Sequence, residues 1–368
     1  MPAPAFRLTA EGPLATEYDN MLACIRCGLC LTSCPTYVLS LHESEGPRGR
    51  VGMIRALAEG HLEVTPDLVE HELNCLVCDA CSAVCPAGVH MDPMQVALRS
   101  SIEPRLSRRW WQSLARRLAF NWLFRDMRSF RLLVRLLWVV QRVGLVWVAA
   151  RLRLVKAANL LPRLPARFLV PRGETYPAID SPRQVIAFFA GCVMSTALAD
   201  VDRATIRVLQ RAGCDVTNPA AQGCCGALNA HSGDLEGALD LARRTIAAFE
   251  GVEGPVVVNS AGCGAMLKDY AHHLRSDPEW AERAKAFSGR VRDLSEVLAG
   301  ARLPVARTLD ERVVYQDACH LLHAQGVKQQ PRDLLRQVPG LELVEMVEAG
   351  LCCGSAGVYN LTNPEEAG

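Results

Sequence analysis

The sequence predicts an α+β chain in three parts. A mostly helical, cysteine-rich domain is expected over residues 1–100, and a basic amphipathic helical segment with a linker over 101–180. A C-terminal α/β part follows, with Rossmann-like cysteine-rich repeats at 181–300 and 301–368. Three observations predict this division. The sixteen cysteines split into eight within residues 24–85 and eight from residue 192 onward. The stretch between the two sets is nearly free of acidic residues. From residue 185, short β-branched and aromatic runs alternate with helical spacing.

Composition bounds the function. A chain of 368 residues has room for two or three domains, and a 50% hydrophobic content excludes wholesale disorder. A net charge of +1 excludes a globally basic nucleic-acid binder. A secreted disulfide scaffold would be short and would open on an apolar leader, which the first twenty residues do not resemble. The cysteines therefore read as metal ligands in a reducing, cytoplasmic compartment. No run of about eighteen uncharged apolar residues occurs, so any membrane contact is expected to be peripheral.

The first cysteine set is written twice in one pattern. Cys24, Cys27, Cys30 and Cys34-Pro35 form one C-x2-C-x2-C-x3-C-P run, and Cys75, Cys78, Cys81 and Cys85-Pro86 form the other. Thiolates at i, i+3 and i+6 wrap three corners of a four-iron cube. The fourth cysteine, turned away by its proline, serves the neighbouring cube, as in two-cluster ferredoxins. The expected ligand sets are Cys24, Cys27, Cys30 and Cys85 for one 4Fe–4S cluster, and Cys75, Cys78, Cys81 and Cys34 for the other. Zinc needs two C-x2-C pairs and has no use for the third and fourth cysteines at these offsets. Swapped ligation brings the cubes close, which suits an electron conduit.

Between the runs, Gly46-Pro47-Arg48-Gly49-Arg50 reads as a turn, and Val51 to Leu57 as a helix. Arg48 and Arg50 are expected to hydrogen-bond cluster sulfurs, to pair with a partner's carboxylates, or to lie on a solvated turn.

Residues 105–167 carry fourteen arginines and Lys156 against the single acid Asp126, a net of +14. Trp110, Trp111, Trp122, Trp138 and Trp147 lie among them, and Phe130, Leu132, Leu133, Leu136 and Leu137 recur at helical spacing. Basic amphipathic helices of this kind suit an anionic membrane surface or an acidic partner subunit. The plainer alternative is a bridging helix packed on its own protein. Prolines 162, 165, 171 and 177 mark a linker.

In the α/β part, Val185–Phe189, Val256–Val258 and Val313–Tyr315 read as strands, and each leads toward a cysteine: Cys192, Cys263 and Cys319. Ligands of open α/β sheets bind at such strand ends. Helices are expected over Asp234–Phe249 and Arg332–Val338. Two vicinal pairs follow, Cys224-Cys225 and Cys352-Cys353, each next to glycine. Thirty-one residues separate Cys192 from Cys224 and thirty-two separate Cys319 from Cys352, which marks an internal repeat. The counterpart of Cys263 would fall beyond residue 368, so the second repeat is expected to be cut short. Vicinal cysteines do not readily bridge each other. Cys192, Cys224, Cys225, Cys263, Cys319, Cys352 and Cys353 are expected to form a third iron–sulfur site, a thiol redox centre, or inert buried structure. Cys214 reads as core. His320 and His323 read as ligands or as polar loop residues.

With these motifs in hand, the chain resembles the family of glycolate oxidase iron–sulfur subunits. More broadly it is similar to heterodisulfide-reductase-like proteins with a two-cluster ferredoxin domain and paired CCG domains. The resemblance rests on the two cysteine runs, Gly46–Arg50, Gly223–Gly226, Ser260–Ala265 and Cys352–Gly357, and it covers the chain apart from the basic segment. The anaerobic glycerol-3-phosphate dehydrogenase small subunit and lactate-oxidising systems are similar. The family's CCG pattern ends in C-x-x-C, where this chain has Met266 in place of the last cysteine. No G-x-G-x-x-G follows a strand, so a dinucleotide fingerprint is missing. The resemblance implies FAD on a partner dehydrogenase subunit that oxidises glycolate to glyoxylate. This chain would relay the electrons through two 4Fe–4S clusters to a membrane quinone or another acceptor. Two other readings are a CCG thiol–disulfide reductase and a zinc-stabilised interaction module.

Overall fold

The computed structural model describes residues 6–8, 12–151, 161–179, 181–303, 307–357 and 359–363. Arg153 and Lys156 of the basic segment, and residues 364–368 where the second repeat was expected to break off, lie outside the described residues.

The N-terminal part is helical. Helix α1 (Pro47–Ala58), α2 (Pro66–Leu73) and α3 (Met91–Ile102) enclose a core of Val51, Ile54, Leu57, Leu68, Met94 and Leu98. The Gly46–Arg50 motif is not a free turn. Pro47 takes the first position of α1, where its missing N–H costs nothing, so the helix starts four residues earlier than the apolar spacing indicates. Thr65 caps α2 by accepting from the Leu68 amide.

The basic segment is helical, as its spacing indicates. It comprises Trp110–Arg116, a wide turn at Arg117–Leu123, α4 (Met127–Arg142) and Leu145–Arg151. Asp126, the lone acid, caps α4 by accepting from the amides of Arg128 and Ser129. Only part of the predicted apolar face turns inward. Phe130 and Val134, one helical turn apart, are buried, whereas Leu132, Leu133 and Leu136 are exposed.

The C-terminal part holds a five-stranded sheet in the order β1 (Glu174–Tyr176), β3 (Cys214–Asn218), β2 (Gln184–Phe189), β4 (Val256–Val258), β5 (Val291–Asp293). All pairings are parallel except the antiparallel edge strand β1. Side-chain alternation in β2 feeds two cores. Ala187 and Phe189 pack on α6 (Leu235–Phe249), α7 (Ala261–His273) and α8 (Ala281–Arg290). Ile186 and Phe188 pack on α5 (Ala199–Arg211). Cys214 is buried in that second core, as a structural residue would be. Asp234 caps α6.

The second repeat contributes the parallel pair β6 (Arg312–Val314) and β7 (Glu342–Val344), with helix α9 (Gln329–Leu335). Helix α9 begins three residues before the expected Arg332. Buried Arg332 anchors it, reaching Asp317 at 2.7 Å and Glu345 at 3.0 Å, so a long-range ion pair sets its placement. Among the described residues no helix is long and apolar enough to cross a membrane.

Candidate iron–sulfur sites

Both N-terminal cysteine runs fold the same way. Arg26 and Gly28 in the first run, and Val77 and Asp79 in the second, occupy equivalent positions between the cysteines. All four have left-handed backbone, with φ of 58°, 84°, 50° and 58°. A β-branched valine in that region is strained, and such strain persists where a site imposes it. The alternation of hands curls each loop so that its thiols face inward. Cys34 precedes a short helix, Pro35–Ser40, whose first-position proline redirects the chain.

Two neighbouring cavities collect the thiols. Cys24, Cys27, Cys30 and Cys85 line the first, together with Arg48 and apolar Val51 and Val89. Cys34, Cys75, Cys78 and Cys81 line the second, together with Arg50 and Asp79. Pro47, Cys81 and Met91 border both, so one side-chain layer divides them. Burial pushes the Cys30, Cys75 and Cys81 thiols upward in pKa. The donor set is soft thiolate, the chemistry that holds iron–sulfur clusters and zinc. Among the described residues no three His, Cys, Asp or Glu side chains converge on a single-ion position.

Arg50 is 1% exposed and so is not open to a partner's carboxylate. It donates to Glu45 at 2.7 Å, to Thr36 Oγ1 at 3.0 Å and to the His71 carbonyl at 3.0 Å, and its Nη1 lies 4.0 Å from Cys34 Sγ. Arg48 is partly exposed and grips Glu43 with two bonds of 2.6 and 2.9 Å. Sequence reasoning passed over Arg99. It is the one basic residue of α3, buried one turn after Gln95, and it donates 2.7 Å to the Cys75 carbonyl. The signal that could have found it is a lone arginine in a helix with an apolar stripe.

Hydrogen bonds join the CCG cysteines in two groups, one in each repeat. Cys192 donates to Cys224 at 3.6 Å, and Cys225 to Cys263 at 3.3 Å. Cys192 follows β2, while Cys263 lies in the first turn of α7. Bonds from the Cys192 and Cys225 thiols hold Cys224 well below the usual thiol range. Met266, at the family's last cysteine position, is buried in the core. The second group is not confined to its own repeat. Cys319 and Cys78 both donate to Cys352, which holds the Cys352 thiol down to about 3. Cys78 belongs to the second N-terminal cavity, so the second repeat abuts that cavity directly. Cys353 is exposed, and with Cys352 it borders a cavity of about 450 Å³ beside Glu45, Asn74 and Leu76. His320 donates to the Val77 carbonyl at 2.6 Å and His323 to the Gly350 carbonyl at 2.9 Å, which are polar loop roles. None of the sixteen cysteines is bridged.

A 4Fe-4S dicluster domain model matches residues 23–89, and a cysteine-rich domain model matches 186–268 and 313–367. A model of the glycolate oxidase iron-sulfur subunit linker region matches residues 111–166. The chain is 39% identical to the probable glycolate oxidase iron-sulfur subunit of Bacillus subtilis strain 168, over 95% of this chain and 82% of that protein. This chain belongs to the glycolate oxidase iron–sulfur subunit family. The Escherichia coli K12 member of the family is 33% identical over 96% of this chain and 84% of its own. Lactate utilization protein A of Geobacillus thermodenitrificans is 35% identical over 48% of this chain. The basic segment, with no cysteine to mark it, is thus a feature that this family's own linker model describes.

Proposed function

We propose that this chain is the electron-transfer subunit of a glycolate oxidase complex, working beside a flavoprotein subunit that oxidises glycolate to glyoxylate. The observation that carries the reading is the pair of neighbouring cavities that gather all eight N-terminal thiols, with Pro47, Cys81 and Met91 bordering both. The ligands assigned are Cys24, Cys27, Cys30 and Cys85 at one cavity and Cys34, Cys75, Cys78 and Cys81 at the other. Two 4Fe–4S clusters, when bound, supply one-electron carriers close enough to exchange electrons. The chain's own part is to hold eight thiolates, wall them with apolar side chains and place buried cations beside them.

The CCG groups are assigned a supporting role at the second cavity, through Cys319, Cys352 and Cys78, on an α/β frame that both repeats share. The basic segment is assigned to an anionic membrane surface, where a quinone acceptor is reached. Trp110, Trp122 and Trp147 are exposed among its arginines, a surface suited to lipid headgroups. A second reading replaces glycolate by lactate, and the likeness to lactate utilization protein A favours it.

The test is iron and acid-labile sulfide per chain on anaerobically purified protein, with EPR after dithionite reduction. About eight irons with spin-coupled signals are expected. About twelve would add a cluster in the CCG region. Bound zinc with little iron would overturn the assignment. In the assembled complex, glycolate should bleach the visible iron–sulfur absorption; bleaching by lactate alone would select the second reading.

A further inference from the structure

We propose that Arg99 and Arg50 are positioning residues that raise the reduction potential of the second cluster above that of the first, so that electrons collect at the Cys34, Cys75, Cys78 and Cys81 site. This rests on the two-cluster reading above.

A buried charge needs a partner. Arg99 is buried, yet its hydrogen bonds go to neutral acceptors. It donates to the Cys75 carbonyl at 2.7 Å, the Glu72 carbonyl at 3.5 Å, the His231 carbonyl at 2.9 Å and Gln95 Oε1 at 3.3 Å. The nearest acid, Glu72, is one step removed, because its carboxylate accepts from the Gln95 amide at 2.7 Å. Arg50 is arranged in the same sense. One guanidinium nitrogen meets Glu45, and another points toward Thr36 Oγ1 and Cys34 Sγ. Arg50 stands between Glu45 and Cys34, and Arg99 sits against the backbone carbonyl of Cys75, so both guanidinium groups lie beside the second cavity. Burial screens these charges less than water would, although Glu45 offsets part of the charge of Arg50. Cluster potentials respond to nearby charge, hydrogen bonding and solvent exposure.

The cation of the first cavity is less buried. Arg48 is partly exposed, two of its nitrogens are taken by exposed Glu43, and the third donates to the Arg26 carbonyl of the first cysteine loop at 3.3 Å. Cys27 is exposed as well, so water screens that end. A cluster gaining an electron gains negative charge; Arg50 and Arg99 favour that state at the second site, and they outweigh the single buried carboxyl of Asp79 that also lines it. Electron flow then runs from the first cavity toward the second, where Cys352 and the 450 Å³ cavity lie.

The test is an EPR-monitored potentiometric titration of the full chain, comparing wild type with Arg99→Gln, Arg50→Gln, Arg99→Lys and Arg48→Gln, with iron counted in each. The cluster affected is identified as the one whose signal Cys75→Ser alters. Arg99→Gln and Arg50→Gln should each lower one midpoint, that of the second cluster, and leave the other in place. Arg99→Lys should keep most of the wild-type value, and Arg48→Gln should move neither midpoint as far. Eight irons retained with both midpoints unchanged in the two glutamine variants overturns the proposal while leaving the two-cluster reading intact. Wild type without iron overturns both. If Arg99→Gln loses four irons, retention of eight by Arg99→Lys supports the charge requirement. Loss in both makes Arg99 structural and overturns its part.

Discussion

Gly49 shows how much a single position decides. A Cβ built there would sit 1.9 Å from the Glu43 carbonyl oxygen, an overlap with backbone that no rotamer change relieves. The glycine lets α1 press against the Glu43–Glu45 turn, which in turn aims Glu43 at Arg48 and Glu45 at Arg50. Gly49→Ala is expected to cost at least the ~1–3 kcal/mol of an overpacked core. Chemical denaturation of the full chain would show it as a lowered midpoint. An unchanged midpoint would mean that the turn yields freely. Arg48 and Arg50, two residues apart in one motif, also separate cleanly: the helix turns one outward to a screened ion pair and the other into the core.

Helix α4 makes the case at the level of the element. Its inner face places Phe130 and Val134 against Cys192, Cys224 and Leu241, so the linker roofs the first CCG group. The outward surface keeps Leu132, Leu133 and Leu136 of α4 exposed among arginines, together with Trp122 before the helix and Trp147 after it. The two faces predict opposite phenotypes. Phe130→Ala should destabilise the chain by about 3 kcal/mol through the cavity it leaves. Replacing Trp122 and Trp147 together by alanine should leave stability within ~0.5 kcal/mol, since surface changes rarely do more. The same double variant should lose cosedimentation with phosphatidylglycerol vesicles, whereas phosphatidylcholine vesicles should bind neither protein. Equal recovery of wild type and variant on anionic vesicles would remove the membrane assignment.

Across the whole molecule, the N-terminal part and the CCG part are locked together by charge. Glu17 is buried and accepts from His272 Nε2 at 2.8 Å and from Arg275 at 2.7 Å, both on the far side of the interface. Burial works against ionisation of Glu17, yet the bonds from His272 and Arg275 outweigh it and hold the carboxyl below its ordinary value. A carboxyl with a lowered native pKa contributes stability above its unfolded pKa, and that contribution is lost as pH falls through the native value. The interface should therefore loosen below about pH 4.5, starting from the unfolded reference value. Glu17→Ala removes the acceptor of both bonds and leaves partly exposed Arg275 unpaired, and is expected to cost ~1–3 kcal/mol. Faster limited proteolysis between the two parts would report it, and wild-type cleavage rates would show that the other contacts suffice. Those include Arg99 to the His231 carbonyl, His320 to the Val77 carbonyl, His231 to Asp92, and Cys78 to Cys352.

The sequence by itself determined what is local. The double cysteine run, the helix from Asp234, the strands at Val185 and Val256 and the core place of Cys214 follow from spacing and side-chain type, because loops and single elements are governed by neighbours a few residues away. Tertiary structure decided whatever joins distant residues. The start of α9 depends on an ion pair to Asp317, the inner face of α4 on what it covers, and the burial of Arg50 on the packing of Glu45 and Thr36. The meeting of Cys352 with Cys78 spans most of the chain, and the bond from Arg99 to His231 spans 132 residues. No local period encodes such contacts. They arise when two separately folded surfaces dock, and the buried charges between them must then find partners.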